Sequence, residues 1–223
     1  MNTGTFCIRR MLSLSLIVLA ACLGRADSEK EDYKGILLWP YVNEQNVSGL
    51  SINLFSGSYE RFSGLGIGGF YQGAERFNGV AVGGISVIGS ESFKGVSIGG
   101  IANGGGRFEG LAMGGLTFFV DSLDGWGWGG LFSDAQKVNG WHDSILFSRA
   151  EVVNGCQTSL LIAYTAECLR GAQFAPFTYA ADRVEGCQIG LVNIASGRVS
   201  GVQIGLINIA PGTWNFPLVN PGQ

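Results

Sequence analysis

The chain has 223 residues, of which 37 are glycine and only 5 proline, and 46% are hydrophobic against 14% charged. That balance excludes collagen-like and proline-rich disordered chains and leaves enough apolar side chain to build a core. A net charge of −3 carries no electrostatic footprint for nucleic acid, and a single histidine argues against most histidine-dependent catalysis and metal sites.

Residues 1–21 read as a signal peptide rather than as fold. Arg9 and Arg10 form a basic start, and Met11 to Ala21 form an apolar run of eleven residues. A bilayer span needs about 20 apolar residues, so this run fits a secretory signal instead. It ends Leu19-Ala20-Ala21-Cys22, which resembles the lipobox of bacterial lipoproteins. On that resemblance the Cys22 thiol is the lipid attachment site. The alternative is ordinary cleavage after Ala26, which discards Cys22. Removing Arg9 and Arg10 leaves twelve basic residues against seventeen acidic, a net charge of −5. The polar run Ser28 to Asp32 suits a short tether, and residues 22–46 are expected to serve as tether and N-terminal cap.

From residue 47 to 209 the sequence is periodic. One glycine recurs at 49, 64, 79, 95, 110, 125, 140, 155, 171, 186 and 201, spaced by 15 except for 16 at Gly95 and Gly171. Two positions before it (−2) every residue is apolar, from Val47, Phe62 and Phe77 to Val199; one position before it every residue is polar. At +1 and +3 most units are apolar, as in Val80 and Val82, while +2 and +4 hold small or amide residues such as Ala81, Ser97 and Gln203. Apolar residues at alternate positions are the signature of a strand. The glycine is expected to break the phase with a bend or bulge. Charges such as Glu60-Arg61 and Asp182-Arg183 mark exposed turns before each repeat.

No unit buries enough alone, so the units must stack. The expected fold is all-β: a β-solenoid of about eleven repeats of 15–16 residues, closed by a C-terminal cap at 210–223. The alternative is an antiparallel β-barrel with one strand per repeat, whose +1 and +3 side chains would face lipid. Connections of nearly constant length favour the solenoid. So does the shared column of Gln157, Gln173, Gln188 and Gln203, because amide ladders form where identical positions stack. The small +2 and +4 residues are expected to pack on a second layer or to line a narrow barrel.

The last units read VEGCQIGLVNIASG and VSGVQIGLINIAPG. They resemble the glycine-rich surface-repeat proteins of spirochaetes and other bacteria, with units like G-L-Q-I-G-L-x-N. Leu38-Trp39-Pro40 and Phe216 to Asn220 flank the repeats in the same manner. The resemblance implies a secreted or surface-associated protein without assigned chemistry.

Four features invite sharper readings. Gly64 to Gly69 and Gly125 to Gly130 match G-x-G-x-x-G, but no helix-period segment follows, so the repeat accounts for both. His142-Asp143-Ser144 supplies triad residue types, yet strand neighbours point to opposite faces and cannot assemble a triad. Cys156, Cys168 and Cys187 are expected to be free, buried thiols; two rungs separate Cys156 from Cys187, about 9.6 Å, too far for a disulfide. Trp126, Trp128 and Trp141 are expected to fill the core, an aromatic platform for a sugar being the other reading. Asp143 interrupts the apolar +3 column, which makes its coil the place to look for a site.

Together these features predict a lipid-anchored envelope protein at the outer membrane or cell surface, with a structural or interaction role. Its expected partners are the membrane, through the anchor, and a protein or glycan. No catalytic residue, cofactor or metal is expected. Leu23 follows Cys22 where an aspartate would favour inner-membrane retention, so outer-membrane sorting is expected.

Overall fold

The structure is a computed structural model that describes residues 32–211 and 218–221; Cys22 and the signal lie outside them. The described residues form strands, turns and bends without helix. The strands are β1 (Asp32–Gly68), β2 (Tyr71–Gly83), β3 (Ser86–Gly99), β4 (Ala102–Gly114), β5 (Thr117–Gly129), β6 (Phe132–Ser144), β7 (Phe147–Ser159) and β8 (Ile162–Phe174). Shorter strands follow: β9 (Phe177–Ala180), β10 (Arg183–Ile189), β11 (Val192–Ala195), β12 (Val202–Gly205), β13 (Ile207–Ile209) and β14 (Leu218–Pro221). Every pairing is parallel except β12 with β14. The chain is therefore a β-solenoid of about eleven turns, and the antiparallel barrel is overturned, since strands joined by single turns within a barrel would have to alternate in direction.

The repeat glycines stack directly: Gly64 pairs with Gly79, Gly79 with Gly95, and so on to Gly171 with Gly186. Their shared conformation explains the column. Gly110 has φ +129°, a region that L side chains avoid. A Cβ there would also lie 2.1 Å from the carbonyl oxygen of Gly95. The same clash repeats down the stack, and at Gly49 it is with Gly35, whose φ is +132°. The ladder thus begins at Gly35, inside the segment that the sequence suggested as tether and cap.

Each turn has three walls. The first wall covers +1 to +4, and a bend leads to the second, which runs +7 to +10 in the units up to Gly155 and starts one position earlier, at +6, from Gly171 on. Position +11 is skipped by the paired register, as at Glu75, and opens the third wall, which runs to −1. The two 16-residue units take their extra residue at this corner, where the register shifts between Ala74 and Arg76 and again between Ala150 and Val152.

The glycine does not break the alternation. Positions −2, +2 and +4 all face inward, so the inward phase runs straight through the glycine from the third wall into the first. Every −2 residue from Val47 to Val199 is at most 2% exposed. In the N-terminal half this column is a stack of rings: Phe62, Phe77, Phe93 and Phe108 lie 4.6–4.7 Å apart between centroids. In the C-terminal half it narrows to Val138, Val153, Leu169 and Val184, and the space opposite fills with amides. This corrects the expected orientation of the small and amide residues: they fill the interior of the coil rather than meeting a second layer.

Candidate functional site

With even positions inside, the apolar +1 and +3 residues face outward. Leu65, Ile67, Val80 and Ile98 are all exposed on the first wall. At the +5/+6 bend consecutive residues are exposed together, as in Leu54-Phe55, Ile145-Leu146 and Leu160-Leu161, with Leu160 at 73%. The second wall adds Phe119, Phe132, Phe177 and Ile207. The molecule therefore carries an apolar first wall and an apolar bend along the stack, joined from Phe119 onward by an apolar second wall, so that the two walls meet there along a convex apolar edge; in the earlier coils the second wall holds Ser56, Ser58, Gly73 and Gly104 instead. Contiguous apolar patches on monomers rarely exceed a few hundred Å². About eleven rungs at 4.8 Å make the apolar bend roughly 50 Å long.

The charges are segregated. Every Asp, Glu, Lys and Arg between residues 47 and 209 lies between +11 and −1, except Asp134, Asp143 and Arg149. On this third wall, coil-to-coil pairs join Arg76 to Glu91 at 2.8 Å, Lys94 to Glu109 at 2.9 Å and Arg170 to Glu185 at 2.9 Å. The hydrogen bond from Arg170 holds the Glu185 carboxyl below its ordinary range. A shallow groove of about 520 Å³ opens on the same wall near the N-terminal end, lined by Lys34, Arg61, Arg76 and Lys94 among others.

The three exceptions are bonded where they stand. Arg149 donates to Asp134 at 3.3 Å. Asp143 accepts from Trp126 Nε1 at 2.7 Å and from the Thr158 hydroxyl. Trp126 and Trp141 pair in register and are 48% and 51% exposed, so the expected core role of these two side chains is overturned; Trp128 is half-buried. Indoles at +1 have no interior to enter because that position points away from the core.

The triad residue types stay apart. His142 and Ser144 point inward and Asp143 outward, on an unbroken strand pairing. His142 is fully buried, contacts the Ser133 hydroxyl through Nε2, and lies 3.2 Å from Ser148 Oγ through Nδ1. Burial pushes its pKa down to about 3, so the ring is neutral across the physiological range. From there a buried polar chain continues. Gln157 Nε2 donates to Ser148 Oγ at 3.0 Å, Gln173 donates to Gln157 at 3.1 Å, and Gln188 to Gln173 and Gln203 to Gln188 at 2.9 Å each. Asn220 of β14 donates the last bond to Gln203 at 2.8 Å. A second ladder links Thr178, Asn193 and Asn208 at 2.7 Å per step. These amides bond to one another from coil to coil along the ladder.

Cys156, Cys168 and Cys187 are free and only partly buried, where full burial was expected. Cys156 and Cys187 flank Ala172 in one column. Burial, joined at Cys156 by the Asp143 carboxylate, pushes both thiols up, which is the reverse of nucleophile activation. Among the described residues no three His, Cys, Asp or Glu side chains are grouped to hold a metal ion, and no helix is long and apolar enough to cross a membrane.

The outward walls were missed at the sequence level, although the signal was present: carrying the period of two from the buried −2 residue through the glycine places +2 and +4 inside. No family model, curated protein or solved structure matches the chain.

Proposed function

We propose that this is a lipid-anchored bacterial envelope protein, held through Cys22 at the outer membrane or cell surface, with a structural or interaction role and no catalysis. The observation that carries the reading is the pair of apolar outer walls opposite a charged third wall. Such a surface is built to adhere along its length, whereas the interior polar groups are consumed by ladders that hold the coils in register. Residues 19–22, which resemble a lipobox, support the anchor, and the G-C-Q-I-G-L-V-N and G-V-Q-I-G-L-I-N units support kinship with glycine-rich surface-repeat proteins. Metabolic labelling with a fatty-acid probe tests the anchor. The wild-type chain should be labelled and Cys22→Ala should not; equal labelling of both would overturn it.

A glycan partner is a second reading, supported by the exposed Trp126 and Trp141 side by side on the first wall. It requires that envelope polysaccharide quench tryptophan emission in the wild type and not in a Trp126→Phe, Trp141→Phe variant.

A further inference from the structure

We infer that the solenoid lies edge-on in a lipid leaflet, with the +5/+6 bend and the flanking parts of both apolar walls inserted among acyl chains and the charged wall facing water. The inference rests on the lipid-anchored reading for its proximity to a bilayer, but its own support is geometric.

First, the apolar surface is convex. Two walls meet at an edge where neighbours such as Leu160 and Leu161 are exposed together, so a flat partner or a second copy of the chain would cover one wall and leave the other in water. A fluid acyl layer closes around both. Second, the edge has its backbone satisfied. Gly84 N–H donates to Gly68, Gly115 N–H to Gly99 and Gly130 N–H to Gly114, each at 2.9 Å, and Leu116 and Leu131 N–H donate at 2.8 Å to Ile101 and Leu116. Hydrocarbon tolerates backbone only when its polar groups are paired within the protein, and coil-to-coil bonds meet that condition at the bend itself. Third, the walls carry little charge: Asp134 and Arg149 neutralise each other, and the one other charged residue on them, Asp143, accepts hydrogen bonds from Trp126 and Thr158. Fourth, Trp126 and Trp141 sit on the first wall between the apolar edge and the repeat-glycine corner, at the level where an indole favours the boundary between acyl chains and headgroups. Fifth, nine residues separate Cys22 from Asp32. Fully extended they reach roughly 30 Å, which keeps the solenoid beside the membrane that the anchor enters.

The test uses the mature protein purified from its own membranes and reconstituted into neutral phosphatidylcholine vesicles, with and without bromine on the acyl chains. Bromine quenches only indoles close to it. Insertion predicts that tryptophan emission falls at least about twofold in brominated vesicles, that Trp126→Phe with Trp141→Phe removes most of the quenching, and that Leu160→Lys with Leu206→Lys weakens it severalfold. The lysines stand on exposed positions, and circular dichroism checks that each variant keeps its β signal. Equal emission with both lipids, or chemical cross-linking of the reconstituted protein into wall-to-wall dimers, would overturn the inference. If quenching is absent while Cys22 still takes the fatty-acid probe, insertion fails and the anchor stands. Quenching of a chain that takes no probe separates the two in the opposite sense.

Discussion

The two halves of the solenoid share one backbone and solve its interior differently. Between Phe62 and Phe118 the coils are held by stacked rings, with Gly66, Ala81 and Ala112 leaving room at +2 for the phenyl groups. Between Ser133 and Asn220 the −2 column shrinks to valine and leucine, and His142 and four glutamines occupy the +2 space. Phe118 touches His142 at 6.0 Å between ring centroids and marks the seam. Ring stacks contribute through burial and dispersion and tolerate small rotations. Amide ladders contribute little net energy per bond but are costly to interrupt, because every member is both donor and acceptor in a dry interior. Truncating a −2 side chain should therefore cost more in the N-terminal half, and breaking an amide contact should matter more for register in the C-terminal half.

The largest expected effect separates the halves at the same column. Phe93→Ala removes a ring stacked between Phe77 and Phe108 and should cost about 3–5 kcal/mol in urea unfolding, while Val153→Ala, also at −2, should cost about 2 kcal/mol. Equal costs would erase the distinction.

Next comes the ladder. Gln188→Leu removes the donor to Gln173 Oε1 and one of the two acceptors of Gln203 Nε2, which keeps the Ile209 carbonyl at 3.3 Å. A buried orphan costs about 1–3 kcal/mol, so a loss of about that size is expected from a substitution that adds apolar surface to the core. A stabilised variant would show that the amides are not a connected system.

Acid should then act on the seam. His142 has a pKa near 3 when folded against 6.5 unfolded, so between those values the unfolded chain binds the extra proton. Its contribution is complete above pH 6.5 and declines as pH falls towards 3, by about 3 kcal/mol at pH 4.5. Carboxylates titrate in the same range, so the measurement is the difference in pH dependence between wild type and His142→Gln, which should be flatter. Parallel curves would place the histidine outside the dry interior.

The smallest effect belongs to the charged wall, which both halves share. Arg76→Ala breaks an exposed pair with Glu91 and should change stability by less than about 0.5 kcal/mol.

The glycine column and its phase were legible in the sequence because a steric fact stands behind them: Gly110 and its counterparts meet a carbonyl oxygen where a Cβ would go, so no other residue substitutes and the spacing stays visible. The glutamine ladder was legible for the same reason of identical positions meeting. The direction of the walls was not, because apolar alternation at +1 and +3 reads the same whether those residues line a core or meet lipid. What decides it is parity with −2, and that depends on a glycine at φ near +130° preserving the alternation while bending the chain. The role of Trp126 and Trp141 failed with it. Gly35 escaped notice because its spacing to Gly49 is 14 rather than 15.

A parallel stack of identical rungs with in-register amides is, internally, the arrangement of a fibril, and its last rung would ordinarily invite another molecule to continue it. Here β14 turns back against β12, donates the ladder's final bond through Asn220 and ends at Pro221, which has no N–H to offer. Reversal of strand direction at that rung closes the first wall against a further parallel coil.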